Sequence, residues 1–199
     1  LLGHLLDAEE YLREAAQLYA EVHRPEDVGM VTAWKADVAR LQGDLARAVE
    51  LAKEAVDGTS EPRTRAESRR ASGLVAQAEG RMSAARRDLL DALRCAEAVG
   101  NPRSAQGARL DLARFWLETD RGGEARPLIQ ETVEAARRSG ARDVLARALA
   151  LRAVAEGAEA PLREARKLVE ALAYPPNSGL AQEVAWAEVA IRAAKPAGG

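Results

Sequence analysis

Residues 36–55 read ADVARLQGDLARAVELAKEA, and residues 73–92 read GLVAQAEGRMSAARRDLLDA. Superimposed, the two stretches share a glycine, Gly43 or Gly80, between two runs of helix formers. Small residues stand twice before that glycine (Ala36 and Ala39, Gly73 and Ala76), and alanines stand twice after it (Ala48 and Ala55, Ala85 and Ala92). The pattern extends in both directions. Ala8, Ala48, Ala85, Ala125 and Ala165 follow one another at steps of 40, 37, 40 and 40 residues. Gly3, Gly43 and Gly80 each precede one of them by five. A period of this length without strand-like alternation marks a helical solenoid, built of helix, tight turn and second helix, with alanine where helices approach closely.

Composition agrees. Alanine makes up about a fifth of the chain, with Leu, Arg and Glu filling much of the rest, and all are strong helix formers. Isoleucine is nearly absent and aromatics are 4% of residues, which argues against a sheet. The net charge of −2 gives no global field toward nucleic acid or an anionic membrane. Locally the balance shifts: residues 1–57 carry 6 basic and 12 acidic side chains, residues 61–110 carry 10 and 6, and residues 111–199 carry 13 of each. The single Cys95 rules out a disulfide framework and fits a reducing cytoplasm. No apolar run approaches the ~18–20 residues that span a bilayer, and no signal-peptide pattern occurs. A cytoplasmic location is the expectation. The first residue is Leu1, with helical periodicity already under way, so the chain reads as a piece of something larger.

The turn signals divide the chain into about ten helices. Residues 3–22 form the first, with Leu5, Ala8, Leu12, Ala15 and Leu18/Tyr19 on one apolar stripe, as the second helix of a half repeat over residues 1–24. Pro25-Glu26-Asp27 opens the next repeat, 25–57: proline suits the first turn, and carboxylates suit the positive end of the helix dipole. Gly43 breaks that helix and Asp44 caps its partner. The repeats 60–100 and 101–140 open at Ser60-Glu61-Pro62 and Asn101-Pro102, and a fourth spans 141–174. A terminal helix covers 178–194, and 195–199 form a disordered tail. A single repeat array over 1–194 follows.

These positions resemble the tetratricopeptide repeat in its longer form of about 40 residues. That family wants small residues at two first-helix sites, glycine at the turn and alanines at two second-helix sites, which the two quoted stretches satisfy. The third unit keeps Ala113 and Ala125 but has Trp116 and Thr132 at two other sites. The fourth keeps Ala153 and Ala165 but has Glu156 and Leu172. The resemblance implies an all-α fold, a right-handed α-α superhelix of about ten antiparallel helices. The long repeat and high Arg and Ala content look like the tetratricopeptide regions of bacterial multidomain regulators, such as MalT-like and SARP-like activators and signal-transducing ATPases. In those proteins the array receives a signal and passes it to a DNA-binding or ATPase domain.

Catalytic constellations are missing from the pattern. His4 and His23 have no Cys or carboxylates at ligand spacing, whereas zinc needs about four converging ligands. Cys95 lies beside Leu93 and Ala96 and reads as a small core residue. Gly122-Gly123 is followed by no Lys-Ser/Thr and reads as an interhelix turn. The carboxylate pairs Glu9/Glu10 and Asp88/Asp91 read as solvated faces. Arginine outnumbers lysine 25 to 4, but basic residues alternate with acids and lack exposed aromatics for base stacking, so direct nucleic-acid binding is not expected. The expectation is a chain with no catalytic residues, no metal and no cofactor.

In a stack of helix pairs the first helices line the inner face, where function concentrates. Projecting the repeat gives Met30, Ala33, Asp37 and Arg40 from one helix, and Glu67, Arg70, Leu74 and Gln77 from the next. Leu110, Arg114, Leu117 and Glu118 follow, then Arg147 and Ala150. Trp34 stands next to this face, while Trp116 falls on a packing site. The candidate binding set is therefore Trp34, Asp37, Arg40, Arg70, Gln77, Arg114, Glu118 and Arg147. Its arginines suit an acidic or carboxylate-ended peptide. The expected function is protein or peptide binding within a larger regulator. The alternative is a small-molecule receptor, for a sugar or metabolite, that signals by changing curvature.

Overall fold

The computed structural model describes residues 2–59, 61–174 and 178–194, without the side chains of residues 2–4, 6 and 25. The His4 side chain and the expected tail at 195–199 lie outside the described residues. Among the described residues there are ten α-helices and no strand. They are α1 (Leu2–Glu21), α2 (Pro25–Gln42), α3 (Leu45–Asp57), α4 (Pro62–Ala78), α5 (Met82–Val99), α6 (Pro102–Glu118), α7 (Gly122–Ser139), α8 (Arg142–Glu156), α9 (Glu159–Ala171) and α10 (Gly179–Ala194).

Local chemistry sets these boundaries. Gly43 ends α2 in the left-handed conformation at φ 85°, which costs a residue without Cβ little, and its amide bonds back to the last turn. The Asp44 side chain then accepts the Arg47 amide at 3.1 Å and starts α3. Glu61 accepts the Thr64 amide at 2.9 Å, and Asn101 Oδ1 accepts the amides of Arg103 and Ser104 at 3.1 and 3.3 Å. The turn before α7 differs from the expectation. Asp120, at φ 57°, takes the left-handed position that glycine takes at Gly43, so Gly122 and Gly123 form the first turn of α7. Aspartate is one of the few residues whose short polar side chain tolerates that conformation.

The chain divides inside α6 into two compact units, Leu1–Ala108 and Arg109–Gly199. In the first unit α2 packs on α1, α3 and α4, and α4 packs on α3 and α5. The α4 and α5 helices run antiparallel: Arg65 faces Asp91, while Ser72, two turns further on, faces Asp88. In the second unit α8 packs on α7, α9 and α10, and α10 also touches α9.

Alanine at the repeat spacing is what closes these contacts. Ala48, Ala85, Ala125 and Ala165 are each 0% exposed, and Ala8 is half-buried. Ala33, Ala36, Ala39, Ala48, Ala52, Ala55 and Ala71 with Val75 form one continuous core cluster over α2, α3 and α4. Each methyl contributes little by itself. It brings the helices close enough for Leu89, Ile129, Leu149 and Leu151 to be fully buried, at about 1.5–3 kcal/mol each. The Gly73 site shows the limit, because a Cβ there would stand 2.7 Å from Leu89 Cγ. On α1 the stripe is narrower than expected: Leu5, Ala8, Leu12, Ala15 and Tyr19 are half-buried, but Leu18 is exposed.

Candidate binding face

The helices α2, α4, α6, α8 and α10 alternate with the others along the chain, and hydrogen bonds join neighbours among them at offsets of 36–38 residues. In the first unit the Thr64 hydroxyl on α4 donates to the Glu26 carbonyl on α2, 38 residues away, at 3.0 Å. Ser104 on α6 donates to the Glu67 carboxylate, 37 residues away, at 3.0 Å. In the second unit Arg147 on α8 reaches Asp111 on α6 and Glu183 on α10, each 36 residues away. Equivalent turns of successive first helices therefore lie side by side, and each unit presents a row of them.

In the first unit the row carries Trp34, Asp37, Arg40, Glu67, Arg70 and Gln77. Trp34 is 38% exposed, a large aromatic left partly in water. Arg40 donates through Nε and its terminal nitrogen to Asp37 Oδ1 at 2.9 and 2.7 Å. Arg70 stands 4.0 Å from both Asp37 Oδ2 and Glu67 Oε2. Gln77 is half-buried on α4. The arginines thus alternate with carboxylates of their own helices and neighbours, so this face is a lattice of paired charge beside an exposed tryptophan.

The second unit holds Arg114, Glu118 and Arg147, and the structure adds Asp111, Glu183 and Trp186. Arg147 donates to Asp111 at 2.5 Å and to Glu183 at 2.9 Å. Arg114 donates to Glu118 at 2.9 Å, approaches Glu183 at 3.8 Å, and lays its guanidinium over the Trp186 ring at 4.5 Å. The charges form one alternating chain: Glu118, Arg114, Glu183, Arg147, Asp111. Burial disfavours the Arg147 charge, but the two carboxylates outweigh that and hold its pKa above the ordinary arginine value. Arg147 is therefore a bridge among three helices, with only 20% of its side chain exposed.

Four projected face positions turn inward instead. Met30, Ala33, Leu110 and Ala150 are buried, because the helices contact their neighbours over a wider arc than one stripe. Trp116 is buried as expected, tilted against Phe115 at 5.1 Å and capped by the Arg121 guanidinium at 4.4 Å. Asp88 departs most from expectation: it is 3% exposed, not solvated. It accepts the Ser72 hydroxyl at 2.8 Å and bonds from Arg69 and Arg87, which together replace its water. Its neighbour Asp91 pairs with Arg65, Arg69 and Arg94, and Glu9 pairs with Arg47. Glu10, only 3.8 Å from Arg13, stays exposed as expected. Cys95 is half-buried against Ala66, Ala96 and Ala105, and burial, with Asp91 nearby, pushes its thiol pKa up.

Among the described residues no group of His, Cys, Asp and Glu could hold a metal ion, and no helix is long and apolar enough to cross a membrane. No family model and no curated protein matches the chain. A solved structure does. The crystal structure of BtubC (BKLC) from P. vanneervenii matches with a TM-score of 0.61 at 18% identity, over 98% of this chain and 92% of that one. At that identity the likeness is one of fold, an all-helical arrangement shared along nearly the whole length.

Proposed function

We propose that the chain is a tetratricopeptide-like module without catalysis that binds a protein or peptide through the exposed sides of its first helices. It would be the sensor or assembly segment of a larger bacterial regulator, with a cytoplasmic location and no direct contact with nucleic acid. The observation that carries this reading is the side-by-side alignment of first helices at offsets of 36–38 residues within each unit. Such an alignment sets matching turns next to one another, so a segment lying across them meets a repeated set of side chains. Trp34 is the anchor the first unit offers, since partly exposed aromatics dominate interface energetics. Paired charges around it would exchange partners with an incoming acidic or mixed-charge segment, giving specificity more than affinity.

Affinity capture from a bacterial lysate, followed by chemical cross-linking and mass spectrometry, tests the proposal. The expected result is one protein partner cross-linked to α2 and α4. Cross-links confined to α3 and α5 would place the interface on the opposite helices. A metabolite library that raises the melting temperature while no protein is captured would favour the small-molecule receptor.

A further inference from the structure

A cavity of about 190 Å³ opens in the first unit between α3 and α4, lined by Val56, Thr59, Arg65, Ser68 and Arg69. Its lining includes none of the residues of the proposed binding face. Its polar lining is unusual in being left unsatisfied. The Ser68 side chain is 0% exposed and its hydroxyl has no hydrogen-bond partner, nor has the buried Thr59 hydroxyl. Hydroxyls elsewhere find a partner across a helix pair, as Ser72 and Ser104 do, or at the carbonyl four residues earlier: Thr32 to Val28 at 3.0 Å, Thr119 to Phe115 at 2.8 Å and Thr132 to Leu128 at 2.8 Å. Ser68 does not, and a buried hydroxyl without a partner is a costly arrangement.

The two arginines are similarly under-used. Arg65 approaches a carboxylate, Asp91, only at 3.6 Å. Arg69 Nε lies 3.3 Å from Asp91 Oδ2 but outside hydrogen-bond geometry, and its terminal nitrogen reaches Asp88 at 3.3 Å. Each guanidinium carries five N–H donors, more than these few long contacts use. Arg65 and Arg69 line the cavity, and Arg87 and Arg94 join them on Asp88 and Asp91, so each carboxylate is shared among several guanidiniums. The volume exceeds by far the ~10–15 Å³ that one water needs. A half-open space lined by two unsatisfied hydroxyls and two guanidiniums, one of them with a buried Nε that makes no hydrogen bond, matches a tetrahedral oxyanion.

We infer that this cavity is a binding site for a phosphate-class oxyanion, held by the Thr59 and Ser68 hydroxyls and the Arg65 and Arg69 guanidiniums. Such groups form the short, charge-assisted bonds that give phosphate sites their strength. The site uses none of the residues assigned to peptide binding, although α4 carries residues of both, and its test uses the intact chain. Isothermal titration with inorganic phosphate, and separately with methyl phosphate, is run against chloride at matched ionic strength. Binding of phosphate alone identifies the free ion as ligand; equal or tighter binding of methyl phosphate identifies a phosphoryl group on a larger molecule. Arg65→Gln, half-exposed and outside the core, should weaken binding roughly tenfold or more. Ser68→Ala should weaken it roughly fivefold, yet melt no lower than the parent without phosphate, because the hydroxyl has no partner to lose. The inference is overturned if neither ligand binds beyond chloride, which would leave a water-filled cavity, or if both variants bind as tightly as the parent.

Discussion

Arg147 shows how a single side chain can be misplaced between surface and structure. Projected from the repeat it belongs to a solvated row; in the structure it joins α6, α8 and α10 through Asp111 and Glu183. Removing Arg147 leaves the buried Asp111 and Glu183 carboxylates short of a countercharge, and breaking a dry buried pair costs about 3–5 kcal/mol. With a fifth of the guanidinium side chain still exposed, Arg147→Ala should cost about 3 kcal/mol, at the low end of that range, measured by urea denaturation. A loss below about 0.5 kcal/mol would mean that the bridge is no stronger than an ordinary surface pair. Cys95 gives a second residue-scale prediction. Its raised thiol pKa lowers the thiolate fraction at any given pH, so native protein should react with a thiol reagent more slowly than free cysteine. Reaction should accelerate in denaturant. Equal rates in native and unfolded protein would contradict the burial.

At the scale of elements, helix starts and helix contacts can be tested separately. Glu61 accepts the Thr64 amide, and that bond lowers its carboxyl pKa below the usual value. A lowered folded-state pKa means the cap stabilises α4 above the unfolded carboxylate pKa and is lost as pH falls through the folded one. Hydrogen exchange at Thr64 should therefore quicken on acidification through the carboxylate range, and Glu61→Gln should flatten that dependence. An unchanged profile in the variant would sink the assignment. Packing is tested by two glycines. Gly73→Ala drives a Cβ into Leu89 and should destabilise by about 1–3 kcal/mol. Gly107→Ala, also inside a helix but with open space, should gain up to about 1 kcal/mol from helix propensity. If both variants melt alike, close approach at Gly73 is not what holds α4 on α5.

The elements were legible before the structure because glycine, proline and capping carboxylates punctuate them. Gly43 with Asp44 and Asn101 with Pro102 place helix ends within a residue or two of those observed. The alanine period likewise foretold buried contacts, since Ala48, Ala85, Ala125 and Ala165 are all fully buried. Polar fate was less legible. Asp88 and Asp91 look alike in the chain, yet Asp88 is buried because Ser72 and Arg69 of α4 come to meet it across a helix pair. The Asp111, Arg147 and Glu183 chain could have been found by applying the repeat offset to charged residues as well as to alanines, since each lies 36 residues from the next. Gly122-Gly123 reads as the turn in the chain, yet Asp120 supplies the left-handed residue and both glycines fall in the first turn of α7.

Across the whole molecule, the fold resembles BtubC (BKLC) along nearly its full length, while the proposed role rests on what each unit exposes. The two roles of the repeat should separate. Alanines at the period hold helices together, and in the proposed reading first-helix side chains outside that seam meet a partner. The Arg40 and Arg70 pairs with Asp37 are partly exposed, and such pairs are worth about 0–1 kcal/mol. A combined Trp34→Ala, Arg40→Gln and Arg70→Gln variant should therefore keep its fold. The most direct measurement is partner capture by this variant beside the parent, with melting temperature recorded on the same samples. The account predicts near-equal melting with capture lost; equal melting with capture undiminished would contradict the assignment of the binding face to the first helices.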